Sequence, residues 1–589
     1  MEENNVFVER PVSAEVKKEE NVTYASKPVN NFYRNKYAKL QEIKVQKGIE
    51  AIASYGWLTL VYAILTTICL YKCYRGISFP IYVGITIAYY ILVFKQTGIE
   101  YKASSLKYII AMGLLGISVF LTEDKAMTGL AKWTLLLLLL LFGIHNVFDM
   151  DEWNLFSNLK VLGIYLLKIC ENIGDGFIDF ANIQKRRRED AKKKASEGIP
   201  VKRTGKITYV LIGIAVSVPL LIVVLNLLCK ADAVFKDACD AILELIDIKN
   251  VVCVTLMTII VYILFYSIVK FLYNRETATE EKDRRTNEPI IAITVASILS
   301  VVYILFCLIQ VLYVFMGVGD LPVGYTYAEY VHEGFYELLA VCIINLVIVL
   351  IATNLFRKHK VLDGVVTLIC VCTYIMIASS AYRMILYIGA YDLTKLRVIV
   401  LWSLIVITVL MIGVTIAIYK ERFRLFKYGI TTIVVAVIVL VYSHPDAIVT
   451  QYNINQCKAS DYSYKSIDID YILEDLSIDA AAVLFEDDNY FTVIKYYKKN
   501  DMDTKPWYDY TTSFSPELAD YHQDLLRFME DDGVYIYKDH YEDEKELVYR
   551  TQRMNIRNFN VSKLLARNGY VRHCDDITLE YTNPEGYDF

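Results

Sequence analysis

The stretch RVIVLWSLIVITVLMIGVTIAIY, residues 397–419, has no charged side chain after its first position. At 1.5 Å per residue, a helix of this length covers a hydrocarbon core about 30 Å thick. Similar apolar blocks recur between about residues 51 and 443, and the whole chain is 55% hydrophobic with a positive mean hydropathy. Soluble domains of ordinary size contain less apolar surface than this. The sequence therefore predicts a mainly α, polytopic helical membrane bundle.

Apolar length and flanking charge together predict eleven membrane spans. They comprise residues 51–71, 77–94, 106–121, 131–148, 206–228, 250–272, 289–315, 334–356, 362–387, 397–419 and 427–443. The third and the last are short, so each is also compatible with a re-entrant or interfacial piece. Residues 153–180 are apolar but interrupted by charges, and we expect them to lie in the membrane interface.

The chain divides into four predicted parts. They are a disordered cytoplasmic tail (1–49), an N-terminal membrane region with four spans, the interfacial helix and a basic cytoplasmic loop (50–205), a membrane core with seven spans (206–445), and a small soluble domain (446–589). The last part has 15 Lys plus Arg against 29 Asp plus Glu and contains 17 Tyr, so it is acidic and Tyr-rich. Amphipathic runs such as NFNVSKLLARNGY, together with strand-like runs at residues 490–497 and 533–538, predict an α+β domain there.

The distribution of Lys and Arg predicts the orientation of the spans. Basic loops alternate with loops poorer in positive charge. This alternation predicts an N-terminus on the cytoplasmic side of the cell membrane and a C-terminal domain on the extracellular side. Failure of one short segment to cross would reverse everything that follows it. The basic run KRRREDAKKK, residues 185–194, fits a cytoplasmic anchor near anionic lipid better than a nucleic-acid site, because acids are mixed into it beside a span.

A cluster of acids precedes the eighth span. On a helix Glu329, His332, Glu333 and Glu337 share one face, because they are three, four or eight positions apart. The favoured interpretation is an amphipathic helix start at the outer interface, where the helix dipole suits acids. A proton or ligand site is the sharper alternative, and a bound transition metal is a third. The absence of an HExxH motif argues against a zinc protease, and no metal is predicted.

A second polar group lies around the outer loop between the ninth and tenth spans. Arg383 lies about one turn inside the expected boundary, while Tyr387 and Tyr391 suit an aromatic belt. Arg383 either reaches the headgroups or pairs with a carboxylate near Glu329, and the cost of an unpaired arginine in lipid favours a protein partner. With Arg397, these residues complete a candidate polar cluster at the outer ends of spans 8–10.

No motif for catalysis or cofactor binding accompanies these clusters. Phosphate-binding glycine loops, nucleophile elbows and Ser/His/Asp constellations are absent, so we expect no catalytic residues and no cofactor. The twelve cysteines include no CxxC. Two pairs could face an oxidising side, Cys229 with Cys239 and Cys457 with Cys574, and the sequence leaves open whether either forms a disulfide.

Three motifs carry a family resemblance. The stretches YTYAEYVHEGFYELLAV, YRMILYIGAYDLTKLRVIVLW and HPDAIVTQYNINQ, the last followed by IDIDYILEDLSIDA, resemble a bacterial membrane family, domain-of-unknown-function family 4173, which is related to family 4153. The resemblance covers about residues 210–485. It implies structural roles for Gly334, Pro445, Asp446 and Asn453. It also implies an acid near Gly389 and a glycine near Asp392, where this sequence departs. The family has no assigned reaction.

Two functions fit these observations best. The first is a non-enzymatic envelope scaffold or a binding or transport-related protein that uses the outer polar cluster. The second is a signalling or assembly protein whose acidic outer domain senses or recruits a partner, and a membrane-embedded enzyme is a minor third. Expected partners are the bilayer and an envelope protein or lipid, with no nucleic acid. A transporter should bury acids at the bilayer midplane, whereas these acids cluster near one surface.

Overall fold

The computed structural model describes most of the membrane region and part of the C-terminal region, residues 446–589, which we call the tail. The described ranges are residues 45–73, 75–148, 155–196, 248–274, 287–312, 335–420, 423–459, 468–493, 536–540, 546–551, 559–574 and 579–580, with a few single residues between them. Ten helices in these ranges are long and apolar enough to cross a membrane. They coincide with ten of the eleven predicted spans, whereas the predicted span at 206–228 lies almost wholly outside the described residues.

The described helices and strands follow one another in this order. The helices are α1 Val45–Leu70, α2 Ser78–Thr97, α3 Ala103–Leu121, α4 Lys125–Val147, α5 Leu155–Glu171, α6 Asp175–Ser196, α7 Ile248–Asn274, α8 Pro289–Gln310, α9 Phe335–Leu355, α10 Lys360–Tyr391, α11 Lys395–Tyr419, α12 Leu425–Tyr442, α13 Pro445–Ala459, α14 Asp479–Leu484 and α15 Val561–Cys574. The strands are β1 Ile536–His540, β2 Glu546–Thr551 and β3 Leu579–Glu580.

Two hydrophobic clusters organise the spans. The first contains buried side chains of α1 to α5, α7 and α12. The second contains buried side chains of α8 to α11, α13, α14 and α15. Helix α12 comes late in the chain and yet packs against α3 and α4, as well as against α11. It therefore ties the C-terminal half of the membrane region to the N-terminal half.

Helix α5 and the start of α6 occupy the segment that we expected in the interface, and an ion cluster attaches α6 to α7. The Lys270 ammonium lies 2.6 Å from a carboxylate oxygen of Asp179 and 2.8 Å from one of Asp175. Tyr266 donates a 2.8 Å hydrogen bond to the same Asp179 carboxylate. Such paired acids stabilise a lysine near the end of an apolar helix, because a buried charge without a partner of opposite charge is strongly destabilising.

The described part of the tail does not support a separate α+β domain. Strands β1, β2 and β3 form a small antiparallel sheet, but helix α15 packs against α14 and against the end of α3. Residues 490–493, which we expected in a strand, are helical. The reason is tertiary, because Tyr490 stacks on His573 and Phe485 meets Tyr570 in an edge-on contact. The described helices of the tail, α13, α14 and α15, thus contribute buried side chains to the second hydrophobic cluster.

Candidate functional site

The predicted acidic cluster falls largely outside the part of the chain that the structure describes. Glu329, His332, Glu333 and Gly334 are in that undescribed part. Glu337 is described, and its exposed side chain lies in the first turn of α9. The structure therefore leaves the pairing of Arg383 with the Glu329 cluster as a prediction.

Arg383 has a different partner among the described residues. Its side chain is only 6% exposed, and its Nη2 donates a 3.0 Å hydrogen bond to Oε1 of Gln310. The hydroxyl of Ser379 donates to the same oxygen at 2.6 Å. The side-chain oxygen of Gln310, at the end of α8, thus accepts hydrogen bonds from both Arg383 and Ser379.

Arg397, Tyr387 and Tyr391 come together around the turn from α10 to α11. The Arg397 guanidinium lies 4.3 Å from the centre of the Tyr387 ring. Its Nη1 donates to the carbonyl oxygen of Tyr391 at 2.7 Å and also to that of Asp392. Arginine thereby satisfies carbonyl groups at the end of a helix, which favours cations there. This part of the predicted cluster closes a turn.

Asp392 holds the strained position of that turn. Its backbone has φ 65° and ψ 178°, a conformation that glycine adopts readily and other residues rarely adopt. The family resemblance implies a glycine near this residue, and the backbone geometry gives the physical reason. The next residue, Leu393, is fixed from outside the turn: its N–H donates to Oδ1 of Asn453 at 3.1 Å, and its carbonyl accepts from Nδ2 of Asn453 at 3.0 Å.

A buried ion triad lies next to this turn. Nζ of Lys395 is 2.7 Å from Oδ2 of Asp124 and 3.1 Å from Oδ2 of Asp446. The two carboxylates are 2% and 0% exposed, so neither meets water. Each keeps other donors: Asp124 accepts from the N–H groups of Ala126 and Met127 at the start of α4. Asp446 accepts from the N–H and hydroxyl of Ser477.

Burial shifts the titration of Asp446. Loss of hydration raises the pKa of its carboxyl group, and the nearby Asp124 charge raises it further, against the opposing effects of Lys395 and Ser477. The group sits one residue after Pro445, which begins α13 at the position where a missing N–H costs nothing. Pro445 and Asp446 lie at the start of α13 and Asn453 contacts the α10–α11 turn, while the structural roles that the family resemblance implies for them stay a prediction.

A second acid, Asp479, connects the tail to the triad. Its carboxylate is 2% exposed, and one oxygen lies 3.1 Å from Nδ1 of His444. It also accepts from the hydroxyl of Thr122 and, at 3.0 Å, from the N–H of Glu123. Although burial opposes ionisation, these hydrogen bonds, led by that of His444, lower the pKa of Asp479. The same hydrogen bond raises the pKa of His444.

The start of α15 completes the network. Glu123 lies 3.1 Å from Nη1 of Arg75 and 3.2 Å from Nζ of Lys563. Ser562 donates to the carbonyl of Leu121 at 2.8 Å, and Nδ2 of Asn560 donates to that of Thr122 at 3.2 Å. The tail thus replaces water at the end of α3, where helix carbonyl groups need partners.

We call these eight ionisable residues the polar network. They are the carboxylates Glu123, Asp124, Asp446 and Asp479, the cations Arg75, Lys395 and Lys563, and His444. Each carboxylate contacts at least one basic group. With the acids ionised, a protonated His444 makes the charges balance. Paired charges in a dry site rigidify an interface, whereas a site that binds ions or substrates needs open ligands.

Sequence reasoning missed most of this network. Asp446 was identified only through a family motif, and no role was predicted for Lys395 or Asp124. Their common signal is position, because each lies within a few residues of a helix end on the same face of the bundle. Among the described residues, no group of three or more His, Cys, Asp or Glu side chains is arranged to hold a metal ion. Cys457 is a buried thiol without a disulfide among the described side chains, and Cys229, Cys239 and the side chain of Cys574 lie outside them.

Comparison with known proteins assigns the family. Neither curated proteins nor solved structures gave a significant match. One family model matches residues 109–486, more than half of the chain. The match begins about a hundred residues before the point that the resemblance indicated, so it includes most of α3 and all of α4. It is to the related family rather than to family 4173. The chain therefore belongs to the family described as domain of unknown function (DUF4153).

Proposed function

We propose that this protein is a non-enzymatic membrane scaffold that holds its acidic tail against one face of the helical bundle, where the tail engages an envelope protein or lipid. One observation carries the proposal. The polar network joins the α3–α4 connection, the start of α11, the start of α13 and two segments of the tail through paired, buried charges. Such an arrangement fixes the position of the tail relative to the spans.

The position of the acids in the spans weighs against ion-coupled transport. In the ten described candidate spans, the carboxylates are Glu50, Glu337 and Asp363, and each lies within the first six residues of its helix. Transporters that move protons or cations place ionisable groups near the bilayer midplane. Polar pairs deeper in the bundle are neutral, for example the amide of Asn345 with the hydroxyl of Thr373.

We place the polar network on the extracellular side. The positive-inside pattern supports this orientation, because it assigns the α3–α4 connection, the α10–α11 turn and the tail to the outside. In the folded chain these three segments contact one another at the polar network. Protease added to intact cells should therefore cut the tail, and cutting only after lysis would reverse the orientation.

The scaffold proposal is tested by releasing the tail without unfolding the spans. A Cβ at Gly569 in α15 would overlap the side chain of Phe485, so Gly569→Leu should block docking of the tail helix. The control is Gly364→Leu in α10, where the added side chain meets open space. Both variants are introduced into cells that otherwise lack the gene, and tail cleavage by protease is measured together with rescue of the deletion defect.

We expect Gly569→Leu to expose the tail and to lose rescue at normal protein level, while the control keeps both. Full rescue by a chain with a released tail would show that tail position is irrelevant. The predicted cluster near Glu329 is tested separately with the double variant Glu333→Gln and Glu337→Gln. Lost rescue at unchanged protein level would make that cluster functional, and a fall in level would make it structural.

Signalling is the second candidate function, and His444 is the observation that favours it. Its imidazole joins the α12–α13 turn to Asp479 of the tail, and imidazole is the side chain that changes charge near neutral pH. A sensor of this kind would release its tail as pH rises, and Gln at position 444 would remove the response. A tail whose protease sensitivity is constant from pH 6 to pH 9 would exclude this role.

A further inference from the structure

We infer that the bundle face opposite the polar network binds an anionic phospholipid, with the acyl chain in a groove between α3 and α12 and the phosphate at the basic ends of these helices. The groove is a cavity of about 310 Å³, at the small end of the range for ligand sites. This site is independent of the scaffold proposal, because it shares no residue with the polar network.

The walls of the groove suit a hydrocarbon chain. They are formed by Ile110, Ala111 and Leu114 of α3 together with Val434 and Ile438 of α12, and Leu138 of α4 lies behind them. Ile110, Leu114 and Val435 are exposed in the folded chain, so the groove opens sideways toward lipid. Apolar contact with a single ordered chain can fill a space that two protein helices leave between them.

Positive charge gathers at one end of the groove. Lys107 comes from the first turns of α3, while Arg424 and Lys427 flank the start of α12. None of the described residues that line the groove is acidic. His145, at the end of α4, accompanies these cations and exchanges a hydrogen bond with the hydroxyl of Ser104. The combination of an apolar slot with cations only at its mouth complements a lipid with a phosphate headgroup, and lysine and arginine are common partners of phosphate.

The occupant is a phospholipid rather than a protein helix because of size and charge. A helix with its side chains is about 10 Å across, wider than a cavity of this volume admits. A zwitterionic lipid would match the apolar walls, but its net charge of zero would not match the cations at the mouth. An inorganic phosphate would match the charge and leave the apolar walls uncovered.

The test uses the full chain in nanodiscs of phosphatidylcholine with or without one fifth phosphatidylglycerol. After detergent exchange, native mass spectrometry counts the lipids that remain. We expect one phosphatidylglycerol per chain to be retained, and the double variant Lys107→Gln with Lys427→Gln to lower its apparent affinity about tenfold, because each cation near a membrane surface contributes to anion binding. The control is Arg357→Gln with Lys360→Gln, which removes the same charge from exposed positions in the α9–α10 connection and at the first residue of α10.

A second pair of variants separates the chain from the headgroup. Ala111→Phe fills the groove without changing its charge, whereas Gly113→Phe places the same bulk on α3 where no other group lies within 4 Å. The first should lose the retained lipid and the second should keep it. Equal retention of both lipid types, equal loss in the charge control, displacement by inorganic phosphate alone, or a second copy of the chain in place of the lipid would each overturn the inference.

Discussion

Removal of the Lys395 ammonium should be among the most damaging single changes outside the apolar core. Lys395→Met preserves the length of the side chain but leaves Asp124 and Asp446 facing each other without a cation. The lysine now lies 2.7 and 3.1 Å from oxygens of these two carboxylates, both essentially shielded from water. Breaking a buried ion pair in this way typically costs about 3–5 kcal/mol of unfolding free energy.

The structure sets the expected cost near the lower end of that range, at about 3 kcal/mol. Asp124 still accepts hydrogen bonds from the first N–H groups of α4, and Asp446 still accepts two from Ser477. The loss of unfolding free energy should also become smaller as the pH is lowered. Since the pKa of Asp446 is already raised and the change removes its cation, protonation at low pH relieves the remaining repulsion.

The assay is reversible unfolding of the purified chain in detergent, followed by the helical circular dichroism signal at several pH values. The control is Arg357→Gln, which breaks an ion pair with Glu288 whose members are 59% and 66% exposed. Such exposed pairs are worth at most about 1 kcal/mol. The reasoning fails if both variants cost the same, or if the loss in Lys395→Met is independent of pH. The triple variant with Asn at positions 124 and 446 should recover part of the loss, because it removes the unpaired charges.

Three further predictions concern the turns and the tail. Asn453→Ala should lower the unfolding free energy by about 1–3 kcal/mol, because it leaves the buried N–H and carbonyl of Leu393 without partners, while Asn455→Ala at an exposed position should change it little in the same unfolding assay. Asp392→Gly should raise the melting temperature, corresponding to about 1 kcal/mol, because glycine accepts φ 65° without strain; an Asp392→Ala variant that gains as much would contradict this. The stabilisation that protonated His444 contributes through Asp479 should be fully present below the ordinary imidazole pKa of about 6.5, and it should be lost as pH rises through the raised pKa of His444. The stabilisation that ionised Asp479 contributes should be present above about pH 4, and it should be lost as pH falls through the lowered pKa of Asp479. Protease cleavage of the tail should therefore increase above neutral pH in the wild type, and a His444→Gln variant that shows the same increase would refute the assignment.

The spans were predictable because their signal is local. Length and apolar composition identified ten helices that the structure contains, including the two short ones, because each must satisfy its own backbone in lipid. The polar network was not predictable, since its contacts join residues far apart in sequence. Thr122 and Asp479, for example, are 357 positions apart. The residues next to such a residue in the sequence do not indicate its contact partner. A charged residue at a helix end is also as compatible with a solvated loop as with a buried contact.

The tail was misjudged for a related reason. Its acidic composition and mixed local patterns indicated an independent domain, and the amphipathic run at Val561–Cys574 is indeed a helix. The sequence pattern did not indicate where that helix packs. In the structure it packs against the end of α3 and against α14. Amphipathicity specifies that a face will be covered, but it does not specify by which part of the molecule.

The dependence of Glu123 on Lys563 has a consequence for biosynthesis. The acid emerges from the ribosome more than four hundred residues before the lysine that approaches it to 3.2 Å, and seven of the ten described spans are made in between. Until the last segment arrives, the end of α3 lacks the caps that Asn560 and Ser562 supply. A chain that terminates early is therefore marked by uncovered polar groups at one membrane surface, a difference that quality-control proteases can use to separate finished molecules from truncated ones.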